Sequence, residues 1–136
     1  MDIDSMRLLF DTGLLVLIWM VQLLVYPSFR YYDKPNLVIW HKHYTVGLSI
    51  IVIPLMFGQL ILASVQWFNT LSAETLINLL LVVLLWALTF IQFVPLHKKI
   101  ADNKATPALL KRLVARNWWR TILWTVIFCW SVYTNL

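Results

Sequence analysis

Side chains able to do acid–base or coordination chemistry are scarce in this chain, which is 61% hydrophobic and only 12% charged, so their positions carry the argument. There are three histidines, His41, His43 and His97, and a single cysteine, Cys129. Asn117, Arg120, Thr121 and Trp124 follow one another at helical spacing and form one stripe, as do Gln22 and Tyr26. An imidazole titrates near neutral pH and serves as a general base or, when neutral, as a metal ligand. A guanidinium and an amide together hold a carbonyl or a developing oxyanion. These types assign proton transfer or ligation to His43 and His97, and orientation of a substrate oxygen to Arg120 and Asn117. Gln22, Tyr26, Gln92, Thr121 and Trp124 are the expected pocket lining.

Three kinds of chemistry compete for that set. A haem or a single metal ion is the sharpest: His43 and His97, from facing helices at equal depth, would be axial or first ligands. Against it, no H-x-x-x-H or E-x-x-H spacing occurs, and one cysteine excludes multi-cysteine sites within one copy. The only nearby carboxylates, Asp33 and Asp102, lie in loops, which removes a carboxylate-bridged di-iron centre. Binding of a lipophilic molecule is broader: aromatic walls with His, Asn and Arg at the mouth suit a quinone, a polyketide or a lipid headgroup. Nucleophilic hydrolysis is poorly supported, because Cys129 is far from the histidines and Ser28 has no G-x-S-x-G context. A channel or transporter lacks a charged pathway within one copy.

The elements that must position these residues are membrane spans. Soluble domains carry about 25% charged residues, and a mean hydropathy of +0.77 lies far from that class. A bilayer core about 30 Å thick needs about 20 apolar residues per helix, and 8–27, 44–66, 76–97 and about 118–134 qualify. The apolar runs are continuous, without the alternation of a transmembrane strand. No small-x-small cleavage site follows the first span, so it reads as a retained helix. Arg30, Lys34 and Lys42 fall between the first two spans. Lys98, Lys99, Lys104, Lys111, Arg112 and Arg116 fall between the last two, with Arg120 just inside the fourth. The positive-inside rule then makes both basic loops cytoplasmic and both termini non-cytoplasmic. The net charge of +5 reports this topology and contact with anionic headgroups. Basic residues split between two membrane-flanking loops argue against nucleic acid.

In that topology Gln22, Tyr26, His43, Gln92, His97, Asn117, Arg120 and Thr121 share the cytoplasmic third, one polar layer drawn from four helices. On the second helix His43 shares a face with Gly47, Ile50, Pro54, Phe57 and Ile61, and His41 points the other way. Gln59 and Asp11 lie outside the layer, Asp11 in interfacial water. Asn36 is the expected cap of a helix from Leu37, and Thr106-Pro107 the start of another. Ala108–Arg116 reads as an interfacial segment with Leu109, Leu110 and Leu113 against the membrane. Each residue has a plain structural reading. A buried Gln bonds a neighbouring helix for about 0.6–2 kcal/mol, an end-of-span His sits among headgroups, and Arg120 snorkels. The case for a site is the convergence.

Gln22, Tyr26-Pro27-Ser28-Phe29, Trp40, His43, Val52-Ile53-Pro54, Val94-Pro95-Leu96-His97 and Asn117-Trp118-Trp119-Arg120-Thr121 resemble small bacterial four-helix integral membrane proteins of unassigned function. The layout, with an Arg-Thr pair opening the last helix, is also similar to the anthrone-oxygenase-like membrane family. Position by position the resemblance implies a site at Gln22, Tyr26, Pro27, His43, His97, Asn117, Arg120 and Thr121. The expectation is an all-α four-helix transmembrane bundle with antiparallel neighbours, spanning 1–136 as one domain, in a bacterial inner membrane. It would bind a lipophilic molecule or a haem or metal cofactor, with a homo-oligomer as the expected assembly. The alternative is a non-catalytic component: an assembly factor, a lipid-binding subunit or an oligomeric pore.

Overall fold

A computed structural model describes residues 1–136 as four long helices without a strand. We label them α1 (Ile3–Tyr31), α2 (Lys34–Thr70), α3 (Ala73–Ala101) and α4 (Pro107–Thr134). The first three are long and apolar enough to cross a membrane. The fourth carries Lys111, Arg112, Arg116 and Arg120 in its first half, which dilutes its hydropathy.

Side-chain caps set the helix starts. Asp2, Asp33, Ser72 and Thr106 each accept a bond from the backbone N–H three residues on, satisfying one of the orphan amides of a first turn. The Thr106-Pro107 start is as read from sequence. The cap of α2 is Asp33, not Asn36: Asn36 lies in the first turn and donates its own N–H to the Asp33 carboxylate. α2 therefore begins well before its apolar span. The connections are two residues at 32–33, two at 71–72 and five at 102–106, which forces antiparallel neighbours. Leu71 and Asn103 take left-handed backbone at the ends of α2 and α3. Asn tolerates this, whereas Leu71 does so with its side chain exposed.

α1 packs most extensively on α4 and α2, and α3 chiefly on α2. The tightest approach is at Gly58, where a Cβ would fall 2.0 Å from the Phe10 ring. The exterior, unlike that of a soluble bundle, is apolar, and the apolar core also holds many polar groups. Of 29 buried residues, ten are polar or charged, while Leu23, Ile50, Phe57, Ile61, Ile91 and Trp119 face outward. That distribution suits a lipid surround, in which apolar exteriors cost nothing and polar groups must find each other.

Two such meetings occur, one at each end. At the end holding the termini, Asp11 is fully buried and accepts bonds from Arg7 Nε at 3.0 Å, Gln59 Nε2 at 2.7 Å and Ser131 Oγ. Arg7 also donates to Gln66 and Asn78, and Trp124 donates to Gln59. Asp11 is thus not in interfacial water. It and Arg7, one turn apart, form a charge pair that ties all four helices and leaves neither charge exposed.

In the Ala108–Arg116 segment Leu109 and Leu113 do not face the membrane. The segment forms the first turns of α4, and Leu109 and Leu113 are buried in the bundle core beside Phe93, Leu96 and Ile100.

Candidate functional site

At the end holding the basic loops, two helices depart from regular winding just before a proline. α1 contains a π turn at Val21–Val25 ahead of Pro27, and α3 one at Thr89–Phe93 ahead of Pro95. A proline inside a helix removes one N–H and presses its ring on the carbonyl four residues back; a widened turn relieves the clash. The Tyr26 amide accordingly bonds Val21 and the Val94 amide bonds Thr89, each five residues back. Such turns recur at functional sites because they re-aim side chains. Here they aim Gln22 and Tyr26 from α1, and Thr89, Phe93 and His97 from α3, at one point.

The junction is a continuous hydrogen-bonded array. His41 Nε2 lies 2.7 Å from His97 Nδ1, and His97 Nε2 lies 2.9 Å from Tyr26 Oη. Tyr26 Oη accepts from Arg120 Nη2 at 3.0 Å. Arg120 donates Nε and Nη2 to Asn117 Oδ1 at 3.0 and 2.8 Å, and Nη1 to Thr89 at 3.4 Å. Its guanidinium carbon stands 3.6 Å over the Phe93 ring. Behind it, Gln22 Oε1 accepts from Asn117 Nδ2 and Thr121 Oγ1, and Gln22 Nε2 donates to the Val114 carbonyl. Gln22, Asn117 and Thr121 are thus committed to each other and to Arg120; they orient it rather than face a ligand.

The structure brings together Gln22, Tyr26, His97, Asn117, Arg120 and Thr121, but not His43. His43 is exposed on the outward face of α2 with Gly47, Ile50, Pro54 and Phe57, and its place opposite His97 is taken by His41, which is 3% exposed. The residues grouped with His43 do share its face, but that face points outward. His41 carried a usable signal: it shares the side of α2 with Tyr44, Thr45 and Leu48, which pack against the core or line the cavity below. Gln92 does not join the array; its buried Oε1 has no partner.

The donor set does not fit the expected haem or metal. The two imidazole nitrogens that face each other are hydrogen-bonded at 2.7 Å, with no gap for an ion whose bonds to imidazole span about 2.0–2.1 Å each. No three His, Cys, Asp or Glu side chains gather as a ligand group anywhere.

A cavity of about 170 Å³ opens beside the array. Its polar end is Tyr26, His97, Arg120, Thr45 and Thr89, and its walls are Leu17, Ile18, Leu48, Val52, Met56 and Trp124. A vestibule of about 380 Å³ lies on the other side of His97, lined by His41, Lys42, Lys98 and Val38. His97 and Thr45 border both, and the His41–His97–Tyr26 array runs from one to the other.

Arg120 is 7% exposed and has no carboxylate within 4.0 Å, whereas the other buried arginine, Arg7, has Asp11. A buried cation held only by neutral dipoles keeps an unmet demand for an anion. Its neighbours fix the guanidinium plane, and the cavity lies beside it. Comparison with protein-family models, characterised proteins and solved structures finds no match.

Proposed function

We propose that this is a polytopic integral membrane protein that binds a single-ring, oxygen-bearing lipophilic molecule in the cavity beside Arg120. The observation that carries this is the buried, uncompensated guanidinium at the polar end of an otherwise apolar space. Cavity size narrows the ligand. About 170 Å³ is below the 300–1,000 Å³ of drug-sized pockets and close to an apolar cavity of about 150 Å³ that admits benzene. One six-membered ring fits, such as the head of a quinone or a phenolic polyketide unit, with any tail outside. In this reading the fourth helix also crosses the bilayer, both basic loops face the cytoplasm, and the membrane is a bacterial inner one. The likeness to anthrone-oxygenase-like proteins belongs to the same proposal.

The array supplies a proton to that ligand. Tyr26 Oη donates its proton to an anionic ligand oxygen, and the resulting phenolate is held by Arg120 Nη2. His97 Nε2 reprotonates Tyr26, His97 Nδ1 takes a proton from His41 Nε2, and His41 recovers one from the vestibule. The two transfers within the array, His41 to His97 and His97 to Tyr26, each span one existing hydrogen bond. Run backwards, the same chain removes a proton from a ligand hydroxyl.

The test is titration of the detergent-purified protein with a short-chain benzoquinone and its quinol, read by tryptophan quenching, with Trp124→Phe removing the reporter in the cavity. Charge-assisted hydrogen bonds contribute about 1.5–3 kcal/mol, so Arg120→Gln is expected to weaken saturable binding at least about tenfold. Tyr26→Phe keeps the ring and should lose proton exchange more than affinity. Absence of saturable binding to the wild type, or equal affinity in a folded Arg120→Gln, overturns the proposal and leaves the alternative, a non-catalytic membrane component.

A further inference from the structure

A second, larger groove lies at the basic end and shares only Tyr26 with the array. It has a volume of about 770 Å³ and runs between the turn after α1 and the first half of α4. Its apolar lining includes Leu37, Leu110, Val114 and Trp118, and its cations are Arg30, Lys34 and Lys111. All three cations are exposed, and none has a carboxylate within 4.0 Å. The two carboxylates of this end are engaged elsewhere: Asp33 caps α2 and Asp102 pairs with Lys98. The groove therefore joins an apolar trough to a cluster of unpaired positive charge. Trp118 beside it, and Tyr32 stacked on Trp40, mark the depth at which aromatic side chains meet headgroups.

We infer that this groove is a binding site for an anionic glycerophospholipid, its phosphate among Arg30, Lys34 and Lys111 and an acyl chain along Leu110, Val114 and Trp118. Charge and shape both select this occupant. Three unpaired cations attract a phosphodiester with a net negative charge and gain little from a zwitterionic headgroup whose own ammonium they repel. The trough requires an apolar chain, which free phosphate lacks. A segment of another protein would have to be acidic and apolar at once in a region immersed in lipid.

Native mass spectrometry of the detergent-purified protein tests this, with phosphatidylglycerol, phosphatidylcholine or inorganic phosphate added. Phosphatidylglycerol is expected to be retained at one copy per chain, and the other two are not. In the Arg30→Gln/Lys34→Gln/Lys111→Gln variant retention is expected to fall about a hundredfold, from roughly fivefold for each basic residue at the surface. Lys99→Gln/Lys104→Gln/Arg116→Gln removes the same charge away from the groove and should retain the lipid. Ala115→Trp fills the trough without altering charge and is expected to lose it. Equal loss in the two triple variants, equal retention of the two lipids, or full retention by Ala115→Trp overturns the inference. Binding of inorganic phosphate as strong as that of the lipid would also do so, since it would make the site a simple anion site.

Discussion

Replacing Asp11 by Asn tests the claim that a buried charge pair locks the terminal end of the bundle. The carboxylate is fully buried and meets three donors, from Arg7, Gln59 and Ser131, on three different helices. Asn preserves shape and one acceptor, but turns an NH₂ toward groups that themselves donate, and leaves Arg7, 1% exposed, without a counter-charge. Removing one partner of a buried pair costs about 3–5 kcal/mol, because the stranded charge stays desolvated. An ordinary interhelical hydrogen bond in a membrane is worth about 0.6 kcal/mol on average. The two readings therefore differ by several-fold in energy. Reversible unfolding in mixed micelles of mild detergent and dodecyl sulfate, followed by far-ultraviolet circular dichroism, resolves them. The double variant Arg7→Leu/Asp11→Leu, which buries no charge, is expected to be more stable than Asp11→Asn alone. A loss below about 1 kcal/mol for Asp11→Asn, the size of one ordinary bond, would refute the reasoning.

Glycine substitutions should separate inward from outward faces of α2. Gly58→Ala drives a methyl into the Phe10 ring and is expected to cost about 1–3 kcal/mol, while Gly47→Ala meets nothing within 4 Å and should be neutral or slightly stabilising; equal effects in the same unfolding assay would show that the α1–α2 contact is misplaced. At the N-terminus, bonds from the Ser5 backbone and side chain to the Asp2 carboxylate, aided by the terminal ammonium, hold its pKa below the usual 3.8. The capped form is thus favoured above the unfolded pKa and is lost as pH falls through the lower, folded value. Carboxyl-carbon NMR in micelles should place the Asp2 midpoint below 3.8, with Ser5 amide protection declining alongside it, and a midpoint at or above 3.8 would contradict the cap.

Helix number and approximate order were legible because apolar length is a strong signal, and the Thr106-Pro107 start because its cap chemistry is local. The direction each face points was not. His41 and His43 are about 200° apart on one helix, and in lipid Ile50, Phe57 and Ile61 are as content outside as a core residue is inside. Hydrophobicity then loses its power to tell the two apart, and Gly47 and Pro54, residues that favour close packing, stood beside the wrong histidine. Arg7 and Asp11, at a spacing of four on one helix, carry the sequence signature of a pair, and this signal was legible too. The convergence of Gln22, Tyr26, His97, Asn117, Arg120 and Thr121 was legible from depth alone. Their precise partnering was not, since the π turns that re-aim α1 and α3 leave no trace in period-3.6 reasoning.

Those π turns also bear on how the chain tolerates change in length. Losing one residue from a regular span rotates everything beyond it by about 100° and would scramble the bundle. A π turn already holds one residue more than a regular turn, closing five residues back instead of four. Excising Leu23 or Leu24, both facing outward, would close the widened turn while the helix beyond it keeps its phase, at the cost of pressing the Pro27 ring back on the carbonyl four residues before it. The bundle should therefore survive this shortening while the aim of Gln22 and Tyr26 is lost. The surplus residue in each irregular turn separates the requirements of assembly from those of the site. A single codon deletion is then a route by which related chains could keep the architecture and abandon the chemistry.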